Sequence, residues 1–187
     1  PNASTTTPSC AWRCASSTPP SSPTTIGTSA TRADSAVGAS GSPRGVFRLG
    51  TLESTAAARL PPILSRYHLA YPEVQIELVT GTSGALVKRV ASFELEAAFV
   101  AEPFLANGLA MQHAFSEELV MLAPKSARAV RSPKDIGRCT VIGFAAGCSY
   151  RRRLEEWLRA EGVVADRVME LGSYHAVIAC VAAGAGV

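Results

Sequence analysis

Apolar and polar residues alternate from Val74 through Gln75, Ile76, Glu77 and Leu78, and the alternation stops where Gly81 and Gly84 bracket two hydroxyl residues, Thr82 and Ser83. A period of two in a run rich in β-branched residues predicts a strand. Leu86, Val90 and Phe93 follow at helical spacing, so the order is strand, hydroxyl turn, helix. Such a turn directs backbone N–H groups and the positive end of a helix dipole at one point, which suits a carboxylate or another anion. The same two residues serve equally as plain helix caps. The pattern leaves both roles open.

This plan recurs along the chain. Val46, Phe47 and Leu49 predict a strand closed by Gly50, after which Ser54 or Thr55 caps a helix with Ala56, Leu60, Ile63, Leu64 and Tyr67 inward. Pro61 and Pro62 predict a kink or restart in that helix, because a proline past the first turn removes a donor and crowds the turn before it. After a helix over 85–93, Ala97 to Val100 reads as a third, buried strand. Alternation of this kind implies a parallel sheet with ligands at the carboxyl ends of its strands, where residues 51–55 and 80–83 fall.

Two strands, 109–115 and 117–123, lead to a polar link, 124–133, where a lobe boundary is expected. A second lobe then repeats the first in kind: strand 140–144, small-residue loop 145–149, and helix 151–161 with Leu154, Trp157 and Leu158 inward and Gly162 at its end. Strand 167–171, a Ser173 cap and helix 175–183 stopped by Gly184 complete it. The domain reading is a disordered segment 1–44, a first lobe 45–123 and a partial second lobe 124–187.

Composition is most informative over the first forty-four residues. Residues 1–44 are Ser, Thr, Pro, Ala and Gly with Trp12 and Ile26 almost the only large apolar groups, too little to offset the entropy of ordering. They are expected to be disordered, whether natural tail, artefact or a stretch in another reading frame. Over all 187 residues the 47% hydrophobic content suffices for an ordinary core, and a net charge of +3 is too thinly spread to carry nucleic-acid binding. The longest apolar stretch, 176–187, is short and broken by glycines, so no membrane span and no membrane partner are expected. Without a secretory signal, the expectation is a cytoplasmic chain or a fragment.

Enzyme constellations are mostly missing, and no catalytic residue is assigned. Neither Ser83 in GTSGA nor Ser149 in GCSYR matches the Gly-x-Ser-x-Gly elbow. His68, His113 and His175 have no metal-ligand spacing, and the five cysteines, including Cys10, Cys14, Cys139 and Cys180, form no zinc pattern, so no metal and no cofactor are expected. Glu94 and Glu96 read as solvated. Cys148, before the arginine-rich start of a helix, is a candidate redox-sensitive thiol or a simple lining residue. One of Arg151 to Arg153 is a candidate for an anionic ligand; otherwise they form a solvated face.

The run GVFRLGTLESTAAARLPPILSRYHLAYPEVQIELVTG resembles the opening of the effector-binding domain of LysR-type transcriptional regulators, and SYHAVIACVAAGAGV resembles its later segment. The resemblance covers 45–187. It implies an α/β, two-lobed, periplasmic-binding-protein-like (type 2) domain with the second lobe and the return to the first incomplete here, and a single helix carrying Pro61 and Pro62. It implies a small-molecule effector, commonly an acid or anion, held between the lobes by the loops matching Ser54, Thr55, Thr82, Ser83, Gly147, Cys148 and Ser149. It also implies a homodimer through the first lobe. Family members bind DNA through an N-terminal winged helix-turn-helix, a pattern that residues 1–44 do not show, so this chain is not expected to bind an operator by itself.

The expected function is ligand sensing in a transcriptional regulator. Competing readings are a transporter's solute-binding protein on a similar fold, a non-functional fragment, and an enzyme using Ser54, Ser149 and Cys148.

Overall fold

The structure is a computed structural model that describes residues 22–28, 43–105, 108–127, 130–136 and 139–187. Strands β1 (Ser22–Thr28), β2 (Gly45–Thr51), β3 (Val74–Thr80), β4 (Ala97–Phe99) and β5 (Met111–Glu117) form one sheet in the order β3-β2-β4-β1-β5. Helices α1 (Glu53–Ala58), α2 (Leu60–Ala70) and α3 (Ser83–Ala91) accompany it. Strands β6 (Thr140–Gly143) and β7 (Arg167–Glu170) pair in a second sheet, with α4 (Ser149–Ala160) and α5 (Tyr174–Ala182).

The strand–turn–helix reading holds in both parts. β2 runs parallel to β3 over its whole length, from Gly45 opposite Val74 to Thr51 opposite Thr80, and also parallel to β4; β6 and β7 are parallel too. Crossover helices must cover a sheet built this way. α3 does so with Leu86 and Val90, which are buried with Leu52, Leu95, Ala98 and Val100, while Lys88 and Arg89 hold the last turn, where cations favour the dipole. Complete burial of a leucine such as Leu86 contributes about 1.5–3 kcal/mol. The second core gathers Val130, Ile136, Val141, Leu158 and Val187, with Met121 and Ala123 packed on it.

Several expectations are corrected. Ser22–Thr28, inside the segment expected to be disordered, form a strand antiparallel to both β4 and β5, so the sheet is mixed rather than parallel throughout. Residues 1–21 and 29–42, with Trp12, Cys10 and Cys14, lie outside the described residues. The single helix through Pro61 and Pro62 is broken at Arg59, which ends α1 and begins α2. Both prolines then sit in the first turn of α2, where their missing N–H groups serve no bond, and Leu60 is fully buried.

The helix following Thr82 stops at Ala91. Phe93 takes a left-handed backbone, φ 61°, and is 71% exposed instead of facing inward. Residues 118–123 form no strand; they approach the second core as irregular chain.

Candidate functional site

The loops that leave β2 and β3 at their carboxyl ends face the loop that leaves β6. Leu52, Glu53 and Ser54 from the first, Thr80, Gly81 and Thr82 from the second, and Phe144, Ala145, Cys148 and Tyr150 from the third, with Gly172 after β7, line one cavity of about 200 Å³. That is room for a small ligand. The strand topology places it there, because ligands of such sheets collect at the carboxyl ends of the strands.

The predicted residues divide into two groups. Ser54, Thr82 and Cys148 line the cavity. Thr82 is the N-cap of α3 and its hydroxyl accepts from the Ala85 N–H at 3.4 Å. Ser54 Oγ donates to the Tyr150 hydroxyl at 3.5 Å, tying the start of α1 to the start of α4. The cap of α1 is Leu52, not Ser54 or Thr55, and its side chain makes no capping bond. Gly147 adopts φ 87°, a conformation natural to glycine, and lies where an added Cβ would come within 3.7 Å of Thr82 Oγ1.

Thr55, Ser83 and Ser149 sit behind the cavity wall, each no more than 3% exposed. Ser83 Oγ accepts from the Ala101 N–H at 3.1 Å and lies 2.9 Å from the Ala101 carbonyl. Ser149 Oγ, from the start of α4, approaches Ser83 Oγ to 2.9 Å and also bonds the Ala101 carbonyl. These hydroxyls join α3 to α4 across the two sheets, a satisfied buried network.

Sequence reasoning missed Glu53, Phe144 and Tyr150. Glu53 Oε2 accepts from the Tyr174 N–H at 2.8 Å, Oε1 lies 3.4 Å from Ser173 Oγ, and His175 Nδ1 is 3.6 Å from Oε1. A carboxylate from α1 thus caps α5, the placement a helix N-terminus favours, alongside the Ser173 cap that the sequence did predict. Burial pushes the Tyr150 phenol above its ordinary value, opposed by the Ser54 hydrogen bond, so it stays protonated and can donate. Phe144 and Tyr150 lie with ring centroids 6.0 Å apart.

The three arginines at the start of α4 have partners in the fold. Arg151 pairs with Glu155, Glu170 and the Phe144 carbonyl; Arg152 pairs with Glu156; Arg153 Nε bonds the Glu102 carbonyl at 3.0 Å. Glu155 and Glu170 raise the Arg151 pKa through hydrogen bonds, against a smaller opposing effect of desolvation. Glu96 bonds Arg48 and Glu94 bonds Arg89, structural rather than chemical roles. Among the described residues, no cluster of three or more metal-ligating side chains occurs and no helix is long and apolar enough to cross a membrane.

The fold itself is that of effector-binding domains. A regulatory domain of CcmR from Synechocystis PCC6803, determined in complex with 2-PG, superposes with a TM-score of 0.62 at 20% identity, covering 76% of this chain and 70% of that one. The BenM effector binding domain with its effector benzoate superposes at 0.57 and 17% identity, covering 75% and 67%. The family model of the LysR substrate binding domain matches residues 40–187, and the chain belongs to that family. It is 37% identical over 155 residues to the HTH-type transcriptional regulator GltR of Bacillus subtilis (strain 168), covering 83% of this chain and 52% of GltR. It is 39% identical over 147 residues to YofA, another HTH-type transcriptional regulator, of Bacillus velezensis, covering 79% of this chain and 50% of YofA. The chain therefore spans about half the length of the curated relatives it matches.

Proposed function

We propose that this effector-binding domain holds a small metabolite with an acidic group in the cavity between its two sheets, and that occupancy changes how closely the two halves approach. In the whole regulator, a dimer working in the cytoplasm, that change repositions helix-turn-helix domains on DNA. The observation that carries the reading is the composition of the cavity wall: Ser54 and Thr82 come from one half, Cys148 and Tyr150 from the other. A ligand touching both halves binds the closed arrangement more tightly than an open one, and that difference alone shifts the equilibrium. Ser54, Thr82, Gly147 and Cys148 contact or border the ligand in this reading, while Thr55, Ser83 and Ser149 hold the loops that carry them. The relatives are transcriptional regulators, which supports a sensing role over catalysis.

The test is a thermal melt of the purified chain with a panel of small acids, simple carboxylic and amino. A ligand selective for the native state must raise the transition. A cooperative transition that no acid moves would rule out acid binding by this cavity.

A further inference from the structure

The cavity carries one formal charge, and it is negative. Among its described lining residues Glu53 is the only ionisable side chain of either sign apart from the Cys148 thiol and the Tyr150 phenol; no lysine, arginine or histidine lines it. Arg151, the nearest cation in sequence, is bound to Glu155 and Glu170. His175 reaches Glu53 from outside, with its side chain 73% exposed. Glu53 itself is only partly exposed, 30% over its side chain, and is held in place by the Tyr174 N–H.

A simple anion entering this space meets a fixed carboxylate, with no cation among the described lining residues. Two like charges brought together in a partly desolvated space repel more strongly than in water, so the hydroxyls and dipoles opposite would have to overcome that repulsion. A ligand that brings its own cation removes the conflict: an ammonium group bonds Glu53, whose two oxygens can accept about four bonds in all, while the acidic group sits toward Thr82. We infer that Glu53 makes the cavity selective for a small zwitterion, an α-amino acid or a close analogue, over the corresponding simple acid. This inference rests on the ligand-sensing reading above and adds the charge class of its ligand.

The experiment is calorimetric titration of the intact chain with matched probes: each of the smaller L-amino acids, its deaminated acid (propionate for alanine, glutarate for glutamate), and ethylamine as the amine alone. The expected result is that at least one amino acid binds at least tenfold more tightly than its deaminated acid, and that Glu53→Gln reduces the ratio to threefold or less. Ser173→Ala, which perturbs the same helix start without removing the charge, should leave the ratio in place. Simple acids binding as well as or better than their amino counterparts would overturn the inference and leave the sensing of acids intact. Selectivity that survives Glu53→Gln would overturn the role of Glu53. Failure of every acid and amino acid to bind would overturn both this inference and the acid-binding reading beneath it.

Discussion

The hydroxyl of Ser149 lies 2.9 Å from that of Ser83, sixty-six positions earlier in the chain, with both residues buried. Each opens a helix, α4 and α3, and both meet the backbone of Ala101. This contact joins the two halves of the domain at one point behind the cavity wall, about which they can still close on a ligand.

Ser149→Ala is therefore expected to lower stability by about 1–3 kcal/mol, the cost of leaving buried polar partners unsatisfied. Ser83→Ala should cost a similar amount, and the double variant clearly less than the sum, because one network is lost once. Urea unfolding of the three variants measures this directly. Additive losses would show that the two hydroxyls act separately.

Thr82→Ala separates capping from recognition. Loss of the cap should cost about 0.5–2 kcal/mol of stability, and loss of a hydrogen bond to a charged ligand about 1–3 kcal/mol of binding. Calorimetry with an acid found in the melt panel decides; unchanged affinity beside lowered stability would confine Thr82 to capping.

Alanine at different glycines is expected to act with opposite sign. A Cβ at Gly50 would come within 2.8 Å of the Leu86 and Leu95 methyls, in a packed core, so Gly50→Ala should cost about 1–3 kcal/mol by overpacking. A Cβ at Gly186 would meet the Thr140 carbonyl oxygen at a distance no rotamer relieves, so Gly186→Ala should cost more. Gly84, exposed in the first turn of α3 with nothing near its added Cβ, should gain about 0.5–1 kcal/mol as alanine. Melting temperatures should follow that order.

Asp135 supplies a pH dependence. The Arg131 and Ser132 N–H groups, both at 2.8 Å, hold its carboxyl below the ordinary range. Its folded value is therefore lower than its unfolded value of about 3.9. The stability it contributes is present above that unfolded value and lost as pH falls through the folded one. The gap in melting temperature between the parent chain and Asp135→Asn should narrow as pH falls below about 4 and close only below the folded value.

The strand–turn–helix order was legible because its signals are local: alternation in Val74–Leu78, the caps Thr82 and Ser173, and Gly162 and Gly184 past helix ends, both with positive φ. The break at Arg59 was equally legible from Pro61 and Pro62, and the family resemblance misled there. Phe93 was misread because its spacing continues α3, while the chain turns away after Ala91. The apolar run 119–123 reflects packing of Met121 and Ala123 on the second core, not a ladder. Within β1 only Thr24, Thr25 and Ile26 hint at a strand, since its partners are far away. Glu53 was invisible as a site residue because its role depends on Tyr174, which no spacing brings near.

β1 joins β4 by pairing Ile26 with Phe99, and joins β5 by pairing Ser22 with Glu117. Contacts between such distant positions close large loops before they gain anything, so they form late. The order of residues is thus not the order of assembly. β2, β3 and α3 can dock as a near-neighbour unit, and β1, the earliest of the described strands, is then threaded between two strands that wait for it. Until it arrives, β4 and β5 each present a bare edge, the kind of surface on which chains mispair with one another.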